Sequence, residues 1–241
     1  MLNNEQVGIS AEIAIADFFE VNINPAYRLR GVNSIVQSIK PIISGVFNSY
    51  NIPSPIEHIA EGQNAVDFNL SGGKTLSVKT NKQALGKAAP QRIGQASSST
   101  WYGHLAEVLS IETIPSAYAE KARLFKQIAL TRIDELLALY WENMFDCDYL
   151  VYFYNIVDGS NNPTNNPQFV VFEKSSSPVW DKNKVSFTKS SVAEWNESTT
   201  VKYDGITIGE FQVHNNRDNF KFRFNVAGVA ELLKKNKLIL S

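Results

Sequence analysis

The sequence predicts an α/β protein in which helices come first and a central mixed β-sheet, flanked by helices, follows. Three observations carry that prediction. Residues 4–21 repeat apolar side chains at helical spacing, residues 148–157 and 168–174 are runs of aromatic and β-branched residues, and residues 66–82 read as two short strands around Gly72 and Gly73.

Taken in order, the first helix is expected from about Asn4 to Val21, with Ile9, Ile13, Ala16 and Phe19 on one stripe and Val7, Ala14 and Phe18 beside it. A second helical segment over 32–51 contains Pro41, which should kink it or end its first part near Ile39. A loop around Pro53 and Pro55 leads to the hairpin, and a polar stretch over 84–100 follows. Helical patterning returns at about 100–109 and again from Tyr118 to Met144. DYLVYFYNIV and QFVVFEK then look like two strands of one sheet, and TIGEFQVHNNRDNFKFRFNV like a later pair around an Asn-Asn-Arg-Asp turn. The last segment, VAGVAELLKKNKL, is a short helix with lysines near its C-terminal end, where the helix dipole favours them. No repeat and no composition break divides the chain, so a single domain over 1–241 is expected.

A hydrophobic fraction of 44% is that of a soluble globular protein. No apolar run approaches the roughly 20 residues that span a bilayer, and MLNNEQVGISAE lacks the order of a signal peptide, so a cytoplasmic protein without membrane contact is expected. The single cysteine, Cys147, excludes an internal disulfide and a cysteine-rich zinc site, and its place before an apolar strand reads as burial. His58, His104 and His214 lack zinc-hydrolase spacing, and Gly72-Gly73-Lys74 lacks the rest of a P-loop. Asp146 and Asp148 could bind a cation, but acids opening an exposed strand are common.

The net charge is −1, yet charge is segregated along the chain. Between Asp67 and Glu107 there is no acid, while Lys74, Lys79, Lys82, Lys87 and Arg92 fall in that interval; from Asp134 to Asp158 the bias is reversed. A neutral protein can therefore present a positive groove, because affinity for phosphates follows the local field. Chance clustering on a solvated face is the alternative.

In the hairpin, pairing Phe68 and Leu70 with Leu76 and Val78 on one face requires an odd loop such as Ser71, Gly72 and Gly73. Asp67, Asn69, Ser77 and Lys79 then share the other face. A carboxylate and a lysine so placed are what metal-assisted phosphodiester hydrolysis needs: Mg²⁺ takes one or two carboxylates with waters and a phosphate oxygen, and the ammonium can hold or help deprotonate the attacking water. A cross-strand salt bridge worth little energy is the other reading.

Asp67 followed after nine residues by Ser77-Val78-Lys79 resembles the bipartite motif of the PD-(D/E)XK nuclease superfamily, in particular type II restriction endonucleases. Val66 stands where proline is frequent, and Ser77 where a second acid is usual. Some enzymes of that superfamily have serine there and take the acid from elsewhere. Glu12, in Gly8-Ile-Ser-Ala-Glu12, resembles the first-helix glutamate that many of these nucleases direct at the metal or its waters, and Glu61 is a second candidate. The resemblance implies a restriction-endonuclease-like core over the whole chain and a Mg²⁺-dependent, sequence-specific cut in double-stranded DNA leaving 5′-phosphate ends. Asp67, the Val78 carbonyl and Glu12 would hold the metal, and Asp67, Ser77 and Lys79 would be the catalytic set.

Two stretches resemble DNA-contacting elements of these enzymes, at about 80–103 and 205–225. In the first, Lys82, Lys87 and Arg92 suit phosphates, and Gln91, Gln95, Ser97, Ser98 and Ser99 suit phosphates, sugars or base edges; the serines equally suit a helix N-terminus. In the second, His214, Asn215, Asn216, Arg217, Lys221 and Arg223 supply donors and acceptors, though Asn-Asn also satisfies a turn. The resemblance further implies a cognate DNA methyltransferase in the same bacterial cell, and leaves monomer and homodimer both open. A DNA-binding module with a decayed nuclease fold is the competing class, motivated by Ser77, and an interaction protein using the aromatic strands is a third.

Overall fold

The computed structural model describes residues 2–60, 66–90, 106–174, 177–217 and 220–235. Its described residues form two compact units, one from 2–86 with 145–174 and the other from 87–144 with 177–235. Each unit is assembled from separated stretches of chain. For that reason no single linker of distinct composition is visible in the sequence.

The first unit holds helices α1 (Asn4–Phe19), α2 (Pro25–Arg28) and α3 (Asn33–Ser49) and strands β1 (Pro55–His58), β2 (Phe68–Leu70), β3 (Thr75–Thr80), β5 (Tyr149–Tyr154) and β6 (Gln168–Glu173). Its sheet runs in the order β1-β2-β3-β5-β6 and is mixed, since β3 and β5 are parallel while the other neighbours are antiparallel. Asn3 starts α1 with a reciprocal cap, its side chain accepting from the Gln6 N–H at 2.8 Å and the Gln6 side chain accepting from its own N–H at 3.0 Å. From Ile9 to Ala16 the helix is buried on every side, which the small residues Ala11, Ala14 and Ala16 allow by letting neighbours approach closely. Ser10 joins it to the start of α3, accepting from the Val32 N–H at 2.8 Å. The core between α1, α3 and the sheet includes Ile13, Ile39, Ile43, Phe68, Leu76, Val151 and Phe153.

The second unit holds β4 (Lys87–Ala88), α4 (Tyr118–Thr131), α5 (Ile133–Met144), β7 (Val185–Phe187), β8 (Ser198–Tyr203), β9 (Ile206–Val213), β10 (Phe220–Asn225) and α6 (Val226–Lys235). Its sheet, β4-β10-β9-β8-β7, is antiparallel throughout. Phe220, Phe222 and Phe224 alternate inward along β10, and Tyr140 of α5 stacks on Phe222 with centroids 4.7 Å apart.

Three expectations need correction. Among the described residues the strands build the expected mixed sheet, of five strands, and a second, antiparallel one beyond the single sheet foreseen, because the alternation of a strand reports a buried face and not which partner strand supplies its hydrogen bonds. Of the two outcomes expected at Pro41, an end near Ile39 is overturned: helix α3 runs on through the proline, which lies on the exposed side, and Ile35, Val36, Ile39, Ile43, Val46 and Phe47 hold the other side. The helical stretch 118–144 breaks at Arg132, which reaches the Leu109 carbonyl at 2.6 Å and pairs with Glu135. Among the described residues no helix is long and apolar enough to cross a membrane.

Helix α6 lies so close to β9 that a Cβ on Gly228 would fall 1.9 Å from the Thr207 carbonyl oxygen. Gly228→Ala should therefore destabilise the protein by about 1–3 kcal/mol through overpacking, read as a fall of several degrees in the thermal unfolding midpoint. An unchanged midpoint would refute the close packing of helix on strand.

Candidate active site

Gly72 and Gly73 both take positive φ, 73° and 71°, and this tight turn sets Phe68 opposite Leu76 and Asn69 opposite Thr75. The loop is the odd one, Ser71–Gly73, and the register follows from it. The pairing of β2 with β3 ends at Asp67, whose N–H donates to the Leu76 carbonyl at 2.9 Å and whose carbonyl accepts from Ile59 at 2.9 Å. Beyond that point the Asp67 side chain takes over as partner of β3. Its Oδ2 accepts from the Val78 N–H at 2.6 Å and from the Ser77 hydroxyl at 3.2 Å.

Ser77 and Lys79 are two apart on β3 and so face the same way. The Lys79 ammonium donates to Ser77 Oγ at 2.7 Å and to the Val78 carbonyl at 3.3 Å, and stands 4.0 Å from Asp67 Oδ2. Ser77 thus accepts from the lysine and donates to the aspartate. A hydroxyl in this position links the two charged groups without adding a charge.

Glu12 reaches this neighbourhood from the middle of α1 and is itself buried. Its Oε2 accepts from the Tyr27 hydroxyl and from His58 Nε2, each at 2.8 Å. Burial pushes Asp67 up to about 6, the Lys79 charge pulls it down, and the Glu12 charge pushes it up again. Burial, and then the Glu12 carboxylate, raise the Tyr27 phenol as well, which keeps it a donor. Cys147 behaves as its setting in the sequence indicates: it is buried, and burial pushes its thiol up to about 12.

Two carboxylates and a carbonyl are the donors within this group. Oδ1 of Asp67 and Oε1 of Glu12 receive no hydrogen bond among the described residues, while the other oxygen of each is held by protein donors. Two buried carboxylates, of which Glu12 raises the proton affinity of Asp67, each with an unclaimed oxygen, fit a hard divalent cation that keeps several waters. Among the described residues no group of three or more His, Cys, Asp or Glu side chains could hold a metal, so the set stops at two acids.

The remaining candidates are placed as follows. Lys82 donates to the Leu2 carbonyl and to Asn161 Oδ1 at 3.4 Å, beside the start of α1. Lys87 and Arg223 converge on one carboxylate, Glu210, at 2.5 and 2.8 Å. His214 Nδ1 lies 3.4 Å from Glu197, and Arg217 lies 3.3 Å from His214 Nε2. Asn215 accepts at 3.0 Å from Lys126, a buried lysine that also donates to the Asn196 carbonyl at 2.6 Å. Asn215, Asn216 and Arg217 are exposed at the tip of the β9–β10 turn, and burial, then Arg223, lower the proton affinity of Lys221. Gln91, Arg92, Gln95, Ser97, Ser98, Ser99 and Glu61 lie outside the described residues. Asp148 accepts from Lys74 and Thr75 at 2.9–3.0 Å, which ties the end of the hairpin to β5.

The sequence reading missed Tyr27, His58, Glu210 and Lys126. His58 was weighed only for zinc spacing, and neither its pairing with an acid 46 positions away nor that of Tyr27 leaves a local pattern.

A type II restriction enzyme, CviAII of Paramecium bursaria Chlorella virus 1, is 30% identical to the chain over 183 residues, which cover 75% of this chain and 48% of that protein. The chain spans about half the length of that curated relative. No family model matches the chain, and no solved structure matches it.

The raised proton affinity of Asp67 has a consequence for stability. Folding lifts its pKa from 3.8 to about 6, so the folded state binds the proton more tightly and loses stability as pH rises across that window. In chelator, Asp67→Asn should melt above the parent at pH 8, by an amount equivalent to about 3 kcal/mol or less, and the two should converge near pH 4. A gap that stays the same at both pH values would show that the carboxylate does not titrate in this window.

Proposed function

We propose that the chain is a sequence-specific double-stranded DNA endonuclease of the type II restriction kind, dependent on Mg²⁺ and built on a PD-(D/E)XK nuclease core. The observation that carries the proposal is the chain of contacts from Lys79 through Ser77 to Asp67, 2.7 and 3.2 Å, with the carboxylate buried and Glu12 acting on it. Similarity to a protein named as a type II restriction enzyme supports the class of reaction.

In this reading Asp67, the Val78 carbonyl and Glu12 would hold the metal. A bound Mg²⁺ supplies charge to stabilise the phosphate as negative charge builds on its oxygens. Lys79, oriented by Ser77 and the Val78 carbonyl, holds the attacking water by hydrogen bond and favours its loss of a proton. Asp67 keeps the ammonium near by charge, and the Val78 N–H keeps Asp67 in place. Attack of this water on phosphorus with breakage of the P–O3′ bond, the 3′-oxygen leaving as a hydroxyl, would give the proposed 5′-phosphate end. Arg217 and Asn216, exposed at the β9–β10 turn, are the described side chains best presented for base edges or phosphates. A DNA methyltransferase protecting the same sequence in the same cell completes the proposal, and the enzyme acts as a monomer or as a homodimer.

A second reading, a DNA-binding module whose nuclease site has decayed, is favoured by the neutral Ser77 and by a donor set that numbers two carboxylates among the described residues. Digestion of a plasmid of known sequence separates the two.

With Mg²⁺ the parent should give discrete fragments ending in 5′-phosphates; Lys79→Ala should slow single-turnover cleavage by about 10²–10⁴-fold, and Asp67→Ala should abolish it while still binding duplex DNA in Ca²⁺. No Mg²⁺-dependent cleavage by the parent would favour the binding module, a smear would favour a non-specific nuclease, and an undiminished Lys79→Ala rate would remove the lysine from the mechanism.

A further inference from the structure

Glu12 is held by donors from two other elements, and both bond the same oxygen. Tyr27 comes from α2, a single helical turn begun by Pro25 and capped by the Asn24 side chain, which accepts from the Ala26 N–H at 2.9 Å. No residue of α2 is fully buried, and Tyr27 alone of them packs against the core. Arg28 instead pairs with Asp17 at 2.7 Å and Arg30 with Glu5, tying this segment to α1 one turn or more on either side of Glu12. His58 comes from the end of β1, its side chain almost wholly enclosed, with its ring 4.9 Å from that of Tyr27 and 5.1 Å from that of Phe68.

The histidine is satisfied on one side only. Its Nε2 faces the carboxylate, so a hydrogen sits there, and the buried Nδ1 has no hydrogen-bond partner among the described residues. Leaving a buried acceptor unmatched costs free energy that an apolar ring at this position would avoid. What the histidine adds over such a ring is a donor aimed at Glu12 Oε2.

We propose that Tyr27 and His58 are positioning residues that fix the Glu12 carboxylate by Oε2 and so present Oε1 toward the cation held with Asp67. The inference rests on the reading of Asp67 and Glu12 as a divalent-cation pair. Two fixed donors on one oxygen remove the rotation that would otherwise let the carboxylate turn away, and hydrogen bonds of this kind to a ligand carboxylate commonly govern affinity for the metal. Neither residue touches the reacting atoms.

The test is a titration of the chelator-treated full chain with Mn²⁺, followed by the loss of the free-ion resonance signal, together with a thermal melt of each metal-free variant. The parent should bind and Asp67→Asn should lose that binding; equal binding by Asp67→Asn, or none by the parent, overturns the cation pair and this inference with it. With the pair intact, Tyr27→Phe and His58→Leu should each weaken Mn²⁺ binding by about tenfold, and His58→Gln, whose amide nitrogen can take the place of Nε2, should stay within about threefold of the parent. Should His58→Leu fail to fold, Tyr27→Phe and His58→Gln carry the comparison. Mn²⁺ affinity within about threefold of the parent in a folded Tyr27→Phe overturns the role of Tyr27, and a His58→Gln as weak as His58→Leu overturns that of His58, in both cases with the cation pair left standing.

Discussion

The hydrogen bond from the Val78 N–H to the Asp67 carboxylate, 2.6 Å long, is the contact on which the rest of the site depends. Two antiparallel strands normally answer each other with backbone groups, but here the ladder stops at Asp67 and a side chain continues it. The carboxylate can do this only because the Gly72–Gly73 turn fixes the register; one residue of slip would carry Ser77 and Lys79 to the opposite face. A buried N–H left without a partner is costly, so β3 and Asp67 hold each other in place. From that fixed point Ser77 and Lys79 follow by the pleat of the strand alone.

Burying Asp67 and Glu12 near one another opposes folding, and the protein offsets this with directed donors. Asp67 has the Val78 N–H, the Ser77 hydroxyl and the Lys79 charge; Glu12 has Tyr27 and His58. Hydrogen bonds to its charged form counter the desolvation of Asp67, yet it remains above its ordinary range because the Lys79 pull does not outweigh burial together with the Glu12 charge. Helix α1 makes the arrangement rigid. It is enclosed from Ile9 to Ala16, so Glu12 cannot withdraw to solvent without moving the core.

How much of this could be read from residues alone divides along the range of the interaction. The first helix, the hairpin register and the shared face of Ser77 and Lys79 were legible, since each depends on neighbours two to ten positions apart and on a periodicity the chain displays. Glu12 was singled out by its resemblance to a first-helix glutamate and not by a pattern of its own. Its partners were not: Tyr27 lies on a turn with no periodic pattern, and His58 sits in a four-residue strand too short to show alternation. The continuation of α3 through Pro41 depended on which side faced water, a matter settled by packing rather than propensity. The two-sheet division was hidden for a related reason, as strand partners are chosen by backbone groups that every residue carries alike.

The shared carboxylate of Glu210 changes what Lys87 and Arg223 mean as cations. Each already has its counterion, and that counterion is tethered to β9 rather than free in solution. A polyanion that recruits them exchanges one fixed anion for another, and the carboxylate it displaces stays behind within a few ångströms. The entropy gained when mobile salt ions leave a neutralised phosphate would then be missing, so the affinity of such an exchange would respond weakly to ionic strength. Short-range fit, and not the long-range field, decides what such a site accepts.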